Sequence, residues 1–144
     1  MTLTIEETRD IALCRALRRQ VFTLEQGISQ ADEWDEYDET ALHFVARISG
    51  EPVATARAVI TGSSAKIGRV CVLAAARRRG VASALIRASL DRIRRLGGIT
   101  QATLGAQISA QQLYEALGFR PEGAIFDDVG IPHQEMVLDL GPNP

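Results

Sequence analysis

Two periods of apolar and polar positions run along this chain, and the switches between them mark its elements. Leu3 and Ile5 predict a short first strand. Leu13, Leu17, Val21 and Leu24 recur every three or four residues, which predicts a helix capped by Asp10 with Arg15, Arg18 and Arg19 on its wet side. Gly27 ends or bends it. Residues 29–40 show no clear period and read as a solvated loop or a broken helix. Leu42, Phe44, Ala46 and Ile48 alternate as on one face of a strand. After a turn at 49–51, with Pro52 tolerated at a strand start, residues 53–60 predict the next strand. Ile67, Val70, Cys71, Val72 and Leu73 are nearly continuous apolar residues, so 67–73 reads as a strand covered on both faces. Ala82, Leu85, Ile86, Ser89, Ile93 and Leu96 share one face of a helix over 81–96, which Gly97 and Gly98 end. A strand over 99–106 follows. Ser109 and Gln112 then suggest a capping box for a short helix over 110–117. Strands over 119–126 and 135–140, joined by residues 127–132, and a tail over 141–144 complete the chain.

The order is strand, helix, three strands, helix, strand, helix, two strands. It predicts a mixed α/β (α+β) single domain over residues 1–144. Its sheet would be mostly antiparallel, with helices on both faces and one parallel strand–helix–strand crossover. A chain of 144 residues, 46% hydrophobic and 24% charged, has the size and composition of one globular domain. It contains no apolar run of membrane-spanning length, and its acidic start lacks a signal-peptide core. Cys14 and Cys71 fall in apolar patterns and are too few for a disulfide framework, so buried free thiols in a cytoplasmic protein are expected.

The net charge of −2 argues against general nucleic-acid binding, but it conceals two zones of opposite sign. Between Glu25 and Glu39 every charge is acidic. Between Lys66 and Arg95 only Asp91 breaks a basic run. The acidic zone is either a solvated loop or a lip that attracts a cationic acceptor. In the basic zone, Arg77-Arg78-Arg79-Gly80-Val81-Ala82 falls between an apolar strand and a helix N-terminus. That arrangement points free backbone N–H groups at one place, where an anion binds. Gly80 allows close approach and positive φ, and the arginines add donors.

Arg77-x-x-Gly80-x-Ala82 resembles the Q/R-x-x-G-x-G/A signature of the GNAT superfamily of N-acetyltransferases. The element order is similar to the GNAT fold over nearly the whole chain. The resemblance implies acetyl-CoA as cosubstrate. Its pyrophosphate would lie on Arg77 and the backbone of Arg78, Arg79, Gly80, Val81, Ala82 and Ser83. Its pantetheine arm would run along Val70, Cys71 and Val72, where a backbone N–H of Val70 or Cys71 would meet the oxyanion. Many members carry an Asn contact to the cofactor, for which the nearest polar candidates here are Gln107 and Ser109.

Tyr114-Glu115-Ala116-Leu117-Gly118-Phe119 resembles the family's YxxxGF element, which makes Tyr114 the donor of a proton to the departing thiolate. The helix stripe alone also explains Tyr114 as a core residue. Val21-Phe22-Thr23-Leu24-Glu25-Gln26 and the string from Phe126 to Met136 resemble segments of an ElaA-like subgroup, although Asp128 stands where that subgroup often has Glu. An amine must lose its proton before it attacks, so a base is needed. Glu25, Asp128 and His133 are the candidates, with His43 behind them. The two His and two Cys give no metal-ligand spacing, and no metal is expected.

The expected activity is acetyl transfer from acetyl-CoA to a primary amine by direct attack in a ternary complex. The alternative is a non-catalytic acyl-CoA-binding sensor of the same fold. The expected partners are acetyl-CoA and an amine acceptor, with neither nucleic acid nor membrane. The family's dimers make a homodimer through the C-terminal strands a further expectation.

Overall fold

The computed structural model describes residues 2–141, so the predicted tail beyond Gly141 lies outside the described residues. A seven-stranded sheet in the order β1-β2-β3-β4-β5-β7-β6 carries the fold. The strands are β1 (Leu3–Thr8), β2 (Leu42–Ile48), β3 (Glu51–Thr61), β4 (Ser64–Val72), β5 (Gln101–Gln107), β6 (Arg120–Asp128) and β7 (Ile131–Asp139). All neighbours are antiparallel except β4 and β5, which the long helix α3 (Val81–Leu96) joins as a crossover. This is the mixed sheet that the alternation and helical stripes predict.

Both faces are covered, and β2 shows how. Phe44 and Ala46 join the larger core beneath α3 with Leu85, Ile86 and Ile93. Val45, between them, packs against Cys14 and Leu17 of helix α1 (Ile11–Arg18) on the opposite face. Period-two alternation therefore feeds two cores at once. Cys14 and Cys71 are both free and buried. No helix among the described residues is long and apolar enough to cross a membrane.

Several expectations are corrected. Asp10 does cap α1, accepting from the Leu13 N–H at 3.1 Å. The helix does not continue in α form. Residues Arg19–Glu25 are π-helical, and Gln26 N–H donates five residues back to Val21 O at 3.0 Å. Leu24, in the wider turn, is 66% exposed, and Arg18, which reads as solvated, is 1% exposed at the end of α1, where Glu33 and Asp38 pair with it. Of the two readings of residues 29–40, the broken helix holds and the solvated loop does not. The segment contains a four-residue helix α2 (Gln30–Glu33) and a 3₁₀ turn (Glu36–Glu39), with Glu33 and Asp38 buried.

β4 begins earlier than expected and is not uniformly covered: Ala65, Ile67 and Cys71 are buried, while Gly68 to Val70 are half-buried. No side chain caps α4 (Gln111–Ala116), because a 3₁₀ turn over Ile108–Ala110 leads into it instead of the Ser109 box. β7 starts at Ile131 rather than Glu135. Val129 and Gly130, at φ 47° and 82°, form a two-residue hairpin turn with both central residues in the left-handed region.

Candidate active site

β4 and β5 pair only from Ser64 to Lys66 against Gln101 to Thr103. Beyond Lys66 the two strands part, and a cleft opens between them. A bulge in β4 lies beside the parting. β3 advances from Thr55 to Arg57 while β4 runs from Cys71 to Gly68, one residue more. Arg69 lies in that extra stretch at φ 50°, an unusual conformation for a residue with a side chain. The cavity has a volume of about 480 Å³.

Of the residues singled out from sequence, Glu25, Val70, Cys71, Val72, Arg77, Ala82, Gln107, Tyr114, Asp128 and His133 all line this cavity. They come from the π-helical segment, β4, the β4–α3 turn, β5, α4 and the β6–β7 hairpin. Arg78, Arg79, Gly80, Val81 and Ser83 do not line it. They belong to the turn and the first turn of α3, on either side of Ala82. Gly80 occupies the N-cap of α3 at φ 75°, with no side-chain cap, which leaves the first N–H groups of that helix without a capping side chain. His43 is elsewhere: it is buried, with Nε2 2.7 Å from the Asp38 carbonyl, and it does not reach the cleft. Ser109 does not line the cavity either.

The side chains at the cleft have distinct electrostatic states. Burial pushes the Tyr114 hydroxyl up to about 12, so it stays protonated through neutral pH. Its ring meets Phe119 edge-on at 6.2 Å. Burial also raises the Cys71 thiol to about 12, which removes it as a nucleophile. Glu25 is held in a bidentate pair by Arg77, at 2.6 and 2.5 Å, and this hydrogen bonding keeps its carboxyl below the usual range. Arg77 is also anchored through Nε to the Val72 carbonyl at 2.9 Å. His133 stacks on Phe126 at 5.9 Å, with Nδ1 2.7 Å from Ile131 O. The Phe126 ring lies beside Gly105, where a Cβ would make an ordinary contact with Cζ at 3.6 Å.

A GNAT acetyltransferase domain model matches residues 15–140. The chain belongs to the GNAT acetyltransferase family. It is 35% identical over 130 residues to the protein YyaT of Bacillus subtilis (strain 168), covering 88% of this chain and 87% of that one. The crystal structure of Escherichia coli ElaA superposes with a TM-score of 0.84 at 26% identity, covering 94% and 99% of the two chains. A GNAT family acetyltransferase from Elizabethkingia anophelis, with acetyl-CoA bound, shares the fold at a TM-score of 0.75 and 15% identity, over 96% of this chain and 98% of that one.

The sequence left several cleft residues unmarked. Phe22 and Arg69 line the cavity, as does Glu33, from the segment that reads as a loop or a broken helix. Phe22 lies within the string that resembles the ElaA-like segment, and that was the one available signal. Arg69 carried none, since a single Arg in an apolar strand reads as its solvent face. Among the described residues, no group of three or more His, Cys, Asp or Glu side chains could hold a metal ion.

Proposed function

We propose that this protein transfers an acetyl group from acetyl-CoA to a primary amine, a small molecule or a lysine or N-terminal amine, by direct attack in a ternary complex. The observation that carries the proposal is the parting of β4 from β5, with Tyr114 and the uncapped start of α3 at the same opening. A parted strand leaves backbone N–H and C=O groups free for the amide-like pantetheine arm. The acetyl-CoA seen in the Elizabethkingia relative fits this assignment.

In the proposed mechanism, the N–H groups from Arg78 to Ser83 hold the pyrophosphate, helped by the positive end of the α3 dipole. The chain Val70-Cys71-Val72 guides the arm, and an N–H of Val70 or Cys71 stabilises the oxyanion. The amine nitrogen bonds to the carbonyl carbon and the C–S bond breaks. Tyr114 gives its proton to the departing sulfur. The proton of the incoming amine passes to a base, directly or through water. His133 and Asp128, on the hairpin side of the cleft, suit that role better than Glu25, whose oxygens already accept from Arg77. Gln107 takes the place of the Asn contact. Two unpaired buried thiols fit the reducing cytoplasm.

Thermal unfolding with acetyl-CoA, CoA and ATP tests the cosubstrate. A ligand at about 100 times its dissociation constant should stabilise by roughly 2.7 kcal/mol. Acetyl-CoA and CoA should raise Tm and ATP should not. Absence of any shift would overturn the proposal. Binding without acetylation of any amine would favour the sensor alternative.

A further inference from the structure

Six charged side chains beside the cleft form a closed ring of alternating sign. Arg69 donates through Nε and Nη2 to the Glu33 carbonyl at 3.1 and 2.9 Å, and its Nε lies 3.4 Å from the Glu33 carboxylate. The Glu33 carboxylate accepts Arg18 Nε and Nη2 at 2.7 and 2.6 Å. Arg18 Nη1 donates to Asp38 at 2.7 Å, and Asp38 accepts Arg57 Nη1 at 2.9 Å. Arg57 grips Asp35 at 2.6 and 2.5 Å, and Asp35 lies 3.3 Å from Arg69 Nη2, which closes the circuit. Three guanidinium groups balance three carboxylates, and Arg15 adds a contact to Asp38 at 3.0 Å from the rim. Among the described residues no buried side-chain nitrogen or oxygen lacks a partner, so the ring is satisfied as well as neutral.

The ring members come from α1, α2, the segment after it, the 3₁₀ turn, β3 and β4. Arg18, Glu33, Asp38 and Arg57 are buried, while the side chains of Arg69 and Asp35 are 28% and 26% exposed. Arg69 is the one ring arginine that lines the cleft. It is also the residue in the left-handed region within the β4 bulge, a costly conformation that persists only where surroundings enforce it. The contacts to Glu33 and Asp35 are those surroundings.

We propose that Arg69 is a positioning residue for the acceptor. It ties the bulge of β4 to residues 30–38, so that this acidic segment is a fixed wall of the cleft and not a mobile lip. The ring neutralises Glu33, Asp35 and Asp38 internally, and Arg77 neutralises Glu25. Of the acidic zone, Asp32 faces the cleft as a carboxylate with no ion pair among the described residues. The acceptor amine therefore meets a preformed surface of low net charge, whose geometry depends on a residue that need not touch it. The proposal rests on the acetyl-transfer reading for its kinetic consequence alone.

The test compares wild type with Arg69→Gln and Arg69→Lys by amide exchange, acetyl-CoA binding and steady-state kinetics. In Arg69→Gln, exchange across residues 30–38 should speed up about tenfold or more, as expected for loss of a charged tie to a buried network. KM for the amine should rise about tenfold while the acetyl-CoA dissociation constant changes much less, because the Arg69 side chain bonds Glu33 and Asp35 and not the turn before α3. Arg69→Lys, which retains the charge and a donor for the Glu33 carbonyl, should recover part of both effects. Unchanged exchange in the Gln variant would overturn the proposal, as would faster exchange with unchanged amine KM. A wild type that binds acetyl-CoA but acetylates no amine would instead overturn the acetyl-transfer reading, and exchange would still decide whether Arg69 ties the wall.

Discussion

Two residues at the cleft, Tyr114 and Glu25, differ in electrostatic state, and the proposed function gives them different work. Tyr114 is 8% exposed, and its hydroxyl is pushed to about 12, well above the ~8.5 of a free thiol. The phenol keeps its proton at neutral pH and so is a donor beside a departing thiolate, but at about 12 it is a weaker acid than the thiol it would form, so its contribution rests on position. Positioned general acids contribute about 10²–10⁴-fold. Tyr114→Phe should therefore lower kcat by about 100-fold or more while acetyl-CoA affinity, read by calorimetry, stays near wild type. An unchanged kcat would return Tyr114 to the core. Glu25 is different. Its carboxylate is held low by Arg77, and a base that is already paired and ionised at low pH has little proton affinity to offer. Its removal acts on charge instead. Glu25→Gln leaves Arg77 anchored to the Val72 carbonyl but unneutralised beside the proposed pyrophosphate site. Acetyl-CoA affinity should rise severalfold at low salt, the gain should fade as ionic strength increases, and kcat should be retained. A large loss of kcat at constant affinity would make Glu25 the base after all.

At the scale of elements, the turn before α3 depends on one conformation. Gly80 sits at φ 75°, and a Cβ there would meet nothing within 4 Å. Gly80→Glu thus introduces no clash with the fold. It adds backbone strain of roughly 1–2 kcal/mol and a negative charge at the start of the helix. Tm should fall by a few degrees, and CoA binding should be lost in a protein that remains folded by circular dichroism. Normal CoA affinity would remove the anion cradle. This turn was legible in the sequence because its signals are local: an apolar strand, a glycine and a helical stripe lie next to one another in the chain. The crossover was legible for the same reason, as was the existence of the two hairpin strands, though not the start of β7. Leu24 and Arg18 were not. A three-to-four residue repeat cannot distinguish an α-helix from one that widens to π geometry after its second turn. Nor does the pattern of α1 reveal that Glu33 and Asp38, which neutralise Arg18, come from a segment with no period of its own. The bulge in β4 was hidden similarly, since an inserted residue in an apolar run leaves the run apolar.

At the scale of the molecule, the charged ring links the helix on one face of the sheet to two adjacent strands, so its titration should govern acid stability. Burial acts to raise the Asp38 carboxyl, but hydrogen bonds and charge from Arg18, with Arg57 and Arg15, outweigh it and hold the group well below the usual carboxylate range. Hydrogen bonds from Arg57 lower Asp35 in the same direction. A carboxyl whose folded pKa lies below its unfolded value near 3.9 contributes stability that is complete above that value and lost as pH falls through the folded one. The guanidinium groups of Arg18 and Arg57 are shifted upward and stay charged throughout this range. Tm should be nearly flat from about pH 8 to 5 and should fall below about pH 4. Asp38→Asn separates the ring from other acid-labile groups. At neutral pH it leaves Arg18 and Arg57 short of a partner, which for a buried pair costs about 3–5 kcal/mol. Its acid slope should be shallower than that of wild type, because the titrating group with the largest downward shift is gone. Asp139→Asn, in an exposed pair with Arg120, should leave both Tm and slope unchanged. Melting curves from pH 3 to 8 on the three proteins decide the matter. If Asp38→Asn kept the wild-type slope, the acid sensitivity would belong to surface carboxylates and not to the ring that joins α1 to the cleft.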